Sequence, residues 1–326
     1  MAQSINAEPV KAGVQAEALL KELAAVWAEL GKEQKGAGGV LRACSLTMIA
    51  IVEKDADIGE TLADIMRDQP CRFVVVRLGE ADRISAHATA ECWMPFGRRQ
   101  QICCERIEIA ASLETLGDVP SVLRGLLVPD LPVVLWIRDP RALRHPSADE
   151  FLSIAQKIVV DPRGFDDWKW LSEEVKRLAA AGVPIADLAW TRITRWRELI
   201  ARLFDDPASL AALSSLDEIE IHHSSPEPGP AARYLTAWIR ICLGRELRVA
   251  YLQANHTETW QIQHVVLRGP GIEYRIRRAE RGMVSVEGPG IANRVVFRLL
   301  KESELLREEL RIPGRDETFD RVVLAA

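Results

Sequence analysis

The sequence predicts an α/β protein in two parts: an N-terminal three-layer α/β domain on a mixed sheet over residues 1–206, then a smaller α+β domain with an antiparallel meander over 207–326. Three observations carry this. The runs 71–78 (Cys-Arg-Phe-Val-Val-Val-Arg-Leu) and 131–137 are short and almost continuously apolar, the pattern of strands covered on both faces. Stretches of helical period separate such runs, so strand, helix and strand alternate. Beyond residue 216 short strand-like runs are broken by Gly269-Pro-Gly271 and Gly288-Pro-Gly290, which reads as a meander.

Residues 14–30 space Leu19, Leu20, Leu23, Val26, Trp27 and Leu30 as one helix face and stop at Gly31. The linker 31–39 contains Gly36-Ala-Gly38-Gly39. A dinucleotide loop follows a strand and opens a helix, whereas this one follows a helix and leads into the strand-like 40–52, so it reads as a connector. Residues 55–68 are helical, and Asp55 and Asp57 suit its capped, dipole-positive start better than an acid–base pair. Residues 83–93 and 101–110 read as antiparallel strands around Pro95-Phe-Gly97, which makes the sheet mixed. A helix over 112–128 opens on Ser112. The strand 131–137 is reached through Pro129-Asp130, and its C-terminal end near Arg138 is where an open α/β sheet places a ligand crevice. A helix at 147–156, a strand at 157–160 and helices at 165–181 and 194–204 follow, the last with Thr194 as cap and Asp205-Asp206-Pro207 as stop. The second part reads as a strand at 216–222, a turn-rich link 224–230 and a helix at 231–243. Strands at 247–253, 260–267, 272–278, 283–287 and 294–299 and a closing helix at 301–310 complete it.

Composition narrows the function classes. A chain of 326 residues, 48% hydrophobic and 27% charged, suits two globular domains. A net charge of −5 supplies no global drive toward nucleic acid or an anionic membrane. No basic segment followed by an apolar run opens the chain and no stretch of about 18 apolar residues occurs, so a cytoplasmic protein with no membrane partner is expected. The six cysteines, Cys44, Cys71, Cys92, Cys103, Cys104 and Cys242, show neither C-x-x-C nor zinc-type spacing. Mostly buried free thiols, and a fold needing neither disulfide nor zinc, are expected.

No catalytic motif stands out: there is no G-x-S-x-G, no Walker loop and no H-E-x-x-H. No catalytic residue, cofactor or metal ligand is assigned. His222-His223 are neighbours on a strand, point to opposite faces and cannot readily chelate one ion. Alternation likewise splits Cys103-Cys104 into a packed thiol and a semi-exposed one, and sets Arg275 and Arg277 opposite Tyr274 and Ile276. With Arg278 and Arg281 these make either a solvated face or a surface for an acidic partner.

Asp187-Leu-Ala-Trp-Thr-Arg-Ile-Thr-Arg-Trp-Arg197 is the most distinctive stretch, with two indoles and three guanidinium groups but no nucleophile. As a single helix it places Trp190, Ile193, Trp196, Ile200 and Leu203 on one face, with Arg192 and Arg197 in or beside that arc. Two readings stay open, a core face with satisfied cations or a partner surface rich in Trp and Arg.

Leu127-Val-Pro-Asp-Leu-Pro-Val-Val-Leu-Trp136 followed by this run resembles the glucose-6-phosphate dehydrogenase assembly proteins, the OpcA family of cyanobacteria and actinobacteria. Those read close to L-L-x-P-D-x-P-V-x-x-W and D-L-A-W-T-R-L-T-P-W-R at these places. Pro70-Cys71-Arg72 resembles their H-P-C-R. The chain departs in having Arg195 where the family has proline and Gln69 where it has histidine, and it carries no cysteine after Cys242. The resemblance implies a non-catalytic assembly factor and allosteric activator that binds glucose-6-phosphate dehydrogenase and promotes its active oligomer in the oxidative pentose phosphate pathway. Trp190, Arg192, Arg195, Trp196 and Arg197 are its implied partner-binding residues. Two alternatives remain: a sugar-phosphate-binding or processing α/β enzyme with a crevice lined by Arg138, Arg141, Arg192 and Arg197, and a plain scaffold.

Overall fold

In the computed structural model, which describes residues 3–6, 15–33, 39–97, 100–165, 167–254, 262–279, 282–312 and 314–326, the apolar runs of the first half pair into one sheet. They belong to the first of two units, Met1–Gly164 and Phe165–Ala326. The first unit contains strands β1 (Gln3–Asn6), β2 (Val40–Arg42), β3 (Leu46–Glu53), β4 (Cys71–Leu78), β5 (Ser85–Trp93), β6 (Gln101–Ala111), β7 (Val133–Ile137) and β8 (Lys157–Val160). Its helices are α1 (Ala16–Glu33), α2 (Gly59–Asp68), α3 (Val119–Leu126), α4 (Pro140–Arg144) and α5 (Ala148–Leu152).

Within this unit the sheet runs β1-β5-β6-β4-β3-β7-β8, with β2 alongside β6. Strands β6, β4, β3, β7 and β8 are mutually parallel, while β5 is antiparallel to both β6 and β1, so the sheet is mixed as expected. Nearly every residue of β3, β4 and β7 is buried, whereas β5 alternates. Covering on both faces explains the continuous apolar runs. The Pro129-Asp130 step turns the chain into β7 through a left-handed Asp130 (φ 64°), a conformation that aspartate tolerates.

Several expectations are corrected. Cys92 and Cys103 face each other across β5 and β6 and form a disulfide, leaving Cys44, Cys71, Cys104 and Cys242 free. The bond lies in a core cluster with Val26, Leu30 and Ala90, and Trp27 packs against that cluster. An antiparallel register that sets two cysteines directly opposite is invisible in their spacing. Cys103 and Cys104 are both fully buried, so neither is the semi-exposed thiol expected from alternation. The helix expected over 112–128 is only α3 preceded by a 3-10 turn, because Ser112 and Thr115 bond each other and the local backbone instead. Helix α1 continues through Gly31 to Glu33. Gly36 to Gly38, Trp260 and Arg281 lie outside the described residues.

The second unit contains α6 (Trp168–Ala180), β9 (Ile185–Asp187), α7 (Leu188–Arg192), α8 (Thr194–Arg202), α9 (Pro207–Ala212), β10 (Glu218–His223) and α10 (Pro230–Leu243). Then come β11 (Arg248–Gln253), β12 (Ile262–Gly269), β13 (Ile272–Ala279), β14 (Met283–Gly288), β15 (Ile291–Val296), α11 (Glu302–Leu310) and α12 (Glu317–Ala325). Its sheet runs β11-β10-β12-β13-β14-β15. Only β10 and β11 are parallel, joined through α10, and the rest is the expected antiparallel meander. On β13, Tyr274 and Ile276 are buried and Arg275 and Arg277 exposed, as alternation required. Gly269 has to be glycine, since a Cβ there would lie 2.2 Å from the carbonyl oxygen of Ser215.

Residues 165–206, read from sequence as part of the first domain, cluster with the second unit. The reason is packing: α6 lies on α12, and α7 on α10 and α11. Three helices were missed, α4 among them. Pro207, read as a helix stop, opens α9, because Asp206 accepts the amides of Ala208 and Ser209 at 3.0 Å each and proline fits the first turn. Helix α12 follows the helix that was expected to close the chain. Among the described residues no helix is long and apolar enough to cross a membrane.

Candidate functional site

Asp187 initiates the distinctive run. Its Oδ1 accepts the Ala189 amide at 2.7 Å and so caps α7. Its Oδ2 accepts the Tyr234 hydroxyl of α10 at 2.8 Å, and the carboxylate is 1% exposed. Burial first, then the Asp187 charge, push the Tyr234 phenol well above its ordinary pKa. The chain breaks at Ile193 into two helices rather than one, and Thr194 is the first residue of α8 instead of its cap. The apolar face survives this break: Trp190, Ile193, Trp196 and Leu203 are each 2% exposed and Ile200 4%.

Remote side chains lock that face. Trp190 Nε1 donates to Asp316 Oδ2 at 2.9 Å, and Thr191 Oγ1 to Glu309 Oε1 at 2.6 Å. Trp196 meets Phe297 edge-on with ring centroids 5.1 Å apart. Arg197 lays its guanidinium 3.4 Å from the Trp190 ring centroid and donates from Nη2 to Thr194 Oγ1 at 2.9 Å. Burial pulls the Arg197 pKa down, with Asp316, Glu198, Glu309 and Glu308 opposing. Thus the two indoles belong to the core of this unit, while Arg192, Arg195 and Arg197 are partly exposed at its edge. Arg195 sits near Glu308, whose pKa is raised by burial and by Glu309 and lowered by Arg195. Tyr234, Glu309 and Asp316 carry no local sequence signal that ties them to the run.

A recess of about 240 Å³ adjoins this network. Its lining includes Trp168, Lys169, Lys176, Arg233 and Tyr234, with Glu173 the acidic member. Arg233 and Lys169 lie 5.3 and 5.8 Å from the Trp168 ring centroid, and Lys169 also pairs with Glu227 at 2.6 Å. Two cations beside an indole, with Lys176 a third in the lining, suit an anionic group. Sequence reading passed over it because these residues come from two separate helices.

In the first unit, Arg72 of the Pro70-Cys71-Arg72 motif is a buried cation. Its Nε donates to Glu105 Oε2 at 2.6 Å and its Nη1 to the carbonyl of Leu126. Glu105 also accepts Trp27 Nε1 at 2.8 Å and meets Arg42 at 2.6 Å. This motif is therefore structural. Arg141, one of the arginines of the sugar-phosphate alternative, clamps fully buried Asp139 through Nη2 at 2.5 Å and donates to the Leu78 carbonyl at 3.1 Å. Helix α2 starts at Gly59 rather than at 55, with Ile58 at its cap position and no side-chain cap, and Asp57 Oδ1 accepts the Gly59 amide at 3.2 Å in the turn just before it.

Two family models match the chain, described as the N-terminal domain of the glucose-6-phosphate dehydrogenase subunit over residues 62–177 and the C-terminal domain of the same subunit over 183–323. OpcA proteins whose names place them, provisionally, in the OxPP cycle are similar to it. The one from Nostoc punctiforme is 28% identical over 181 residues, covering 54% of this chain and 38% of that protein. The one from Synechococcus elongatus is 29% identical over 245 residues, covering 72% and 50%. The chain thus matches half or less of the length of these relatives. A dehydrogenase structure from Chromobacterium violaceum aligns at 11% identity and a TM-score of 0.45, covering 87% of this chain and 92% of that one, a likeness too remote to bear on chemistry.

Proposed function

The chain belongs to the glucose-6-phosphate dehydrogenase subunit family, the OpcA proteins, and from that premise we propose that it is a cytoplasmic, non-catalytic assembly factor and allosteric activator of glucose-6-phosphate dehydrogenase in the oxidative pentose phosphate pathway. The observation that carries the reading is the pair of consecutive domain matches, N-terminal then C-terminal, at 62–177 and 183–323. An activator of this kind binds the active oligomer more tightly than the inactive arrangement, since equal affinity for both shifts nothing.

Trp190, Arg192, Arg195, Trp196 and Arg197 enter this reading in two roles. The indoles, each 2% exposed, hold the run in place from inside. The partly exposed guanidinium groups of Arg192 and Arg195 are the members offered to carboxylates of the dehydrogenase, while Arg197, stacked on Trp190 and bonded to Thr194, holds the run in place with the indoles. The sugar-phosphate enzyme is less well supported, because Arg141 is committed to Asp139 and Arg197 to Trp190 and Thr194.

Reconstitution tests the proposal. The purified chain is added to its cognate dehydrogenase, and glucose 6-phosphate kinetics and sedimentation are followed together. A lowered KM, a shift to the larger oligomer and no turnover by the chain alone are expected. Kinetics and sedimentation that stay unchanged at saturating chain would sink the proposal.

A further inference from the structure

His222 on β10 and His264 on β12 are directly paired across the sheet, with ring centroids 4.8 Å apart. Alternation puts Glu220 on the same face as His222 and sends His223 to the other, where it is buried against the Ser225 hydroxyl at 3.2 Å. The two adjacent histidines thus face opposite sides of the sheet. A different strand supplies the second imidazole.

One donor atom each from Glu220, His222 and His264 lies within 4.8 Å of the others. Glu220 is oriented from outside this cluster: Arg268 Nη1 donates to Oε2 at 2.5 Å, leaving Oε1 at 2.6 Å from His222 Nε2. His264 Nε2 is buried and meets no hydrogen-bond partner among the described residues. Buried polar nitrogens rarely stay so, and a bound ion is one of the usual reasons.

We propose that Glu220, His222 and His264 form a binding site for a divalent first-row transition ion, zinc foremost. Two borderline imidazoles beside a single hard carboxylate suit such ions rather than calcium or magnesium, which take all-oxygen donor sets. Zinc lies about 2.0–2.2 Å from nitrogen and oxygen ligands, so tetrahedral donors stand roughly 3.4 Å apart. Small rotamer changes bring the three side chains from within 4.8 Å of one another to that spacing. The Glu220–His222 hydrogen bond opens into two bonds to the ion while Arg268 keeps the second carboxylate oxygen, the outer support that metal-bound carboxylates commonly have. Arg268, Arg275 and Arg277 on this face oppose a dication, and Glu218, Glu220 and Glu273 offset them. Three protein donors leave the fourth position open to water. The bound ion would pin β10 to β12 beyond their backbone ladder.

The full chain, freed of metal by chelator and dialysed, is titrated with Zn²⁺ by calorimetry and with Co²⁺ by visible absorption. One ion per chain is expected, with cobalt bands of a nitrogen–oxygen site and no sulfur charge-transfer band. His222→Asn and His264→Gln should each weaken binding by more than the roughly 10- to 100-fold typical of an outer-shell change. Cys242→Ser should bind as the parent does. Absence of binding, binding that survives both histidine variants, or a sulfur band overturns the site. Should either variant fail to fold, ring ¹⁵N resonances of the parent decide: zinc must shift a nitrogen of two imidazoles, and unshifted rings overturn the proposal.

Discussion

Trp190 Nε1 donates to Asp316 Oδ2 at 2.9 Å across 126 residues of sequence. The other oxygen of that carboxylate caps α12 by accepting the amides of Thr318 and Phe319 at 2.9 and 3.0 Å. A single aspartate therefore fastens the most distinctive segment of the chain to its C-terminal helix.

Asp316→Ala should destabilise the chain by about 1.5–5 kcal/mol, combining a lost cap of about 0.5–2 with a stranded indole donor of about 1–3. Asp316→Asn can keep the cap through its amide oxygen and should recover the first part only. Urea denaturation reads both. An alanine variant within about 0.5 kcal/mol of the parent, the range of ordinary surface changes, would count against the relationship.

The run's arginines should separate by role. Arg197→Ala removes a cation stacked on Trp190 and should lower stability by about 1–2 kcal/mol. Arg195→Ala should leave stability within about 0.5 kcal/mol while weakening binding to the dehydrogenase by about 2 kcal/mol or more. If Arg195→Ala activates the enzyme fully, the partner surface lies outside this run.

Thiol counting checks the cross-strand bond. The denatured, unreduced chain should present four reactive thiols of its six cysteines, and all six only after reduction. Replacing both Cys92 and Cys103 by serine should cost about 2–4 kcal/mol. Six thiols without reductant would show that the pair is open.

Alkaline pH should act through Tyr234. Its phenol is held above the ordinary value of 10.0 by burial and by Asp187, so the folded chain keeps a proton that the unfolded chain releases. The stabilisation is full below about pH 10 and is lost as pH rises toward the folded-state value. Tyr234→Phe should be less stable at neutral pH, through the donor withdrawn from Asp187, and should lose stability less steeply above pH 10. Equal slopes for the two proteins would contradict this.

The strand 71–78, the strand 157–160, the helix following the 224–230 link and the alternation at Arg275 and Arg277 were all legible in the sequence, and each matches the structure closely. Periodicity and turn residues are local signals, written within about ten residues of the element they specify. The apolar face running from Trp190 to Leu203 was legible for the same reason.

Whether that face is core or partner surface was not legible. Both uses require the same spacing, and the answer lies in α10, α11 and α12, which bring Tyr234, Glu309 and Asp316 against it. The Cys92–Cys103 bond and the His222–His264 pair depend likewise on register between strands, a property of two segments at once. The division after Gly164 depends on which helices α6 and α7 pack against. Sequence alone determined most of the elements, their amphipathic faces and the family resemblance; the tertiary structure decided which faces meet, because pairing is set by the summed packing of remote segments and leaves no periodic trace in either one.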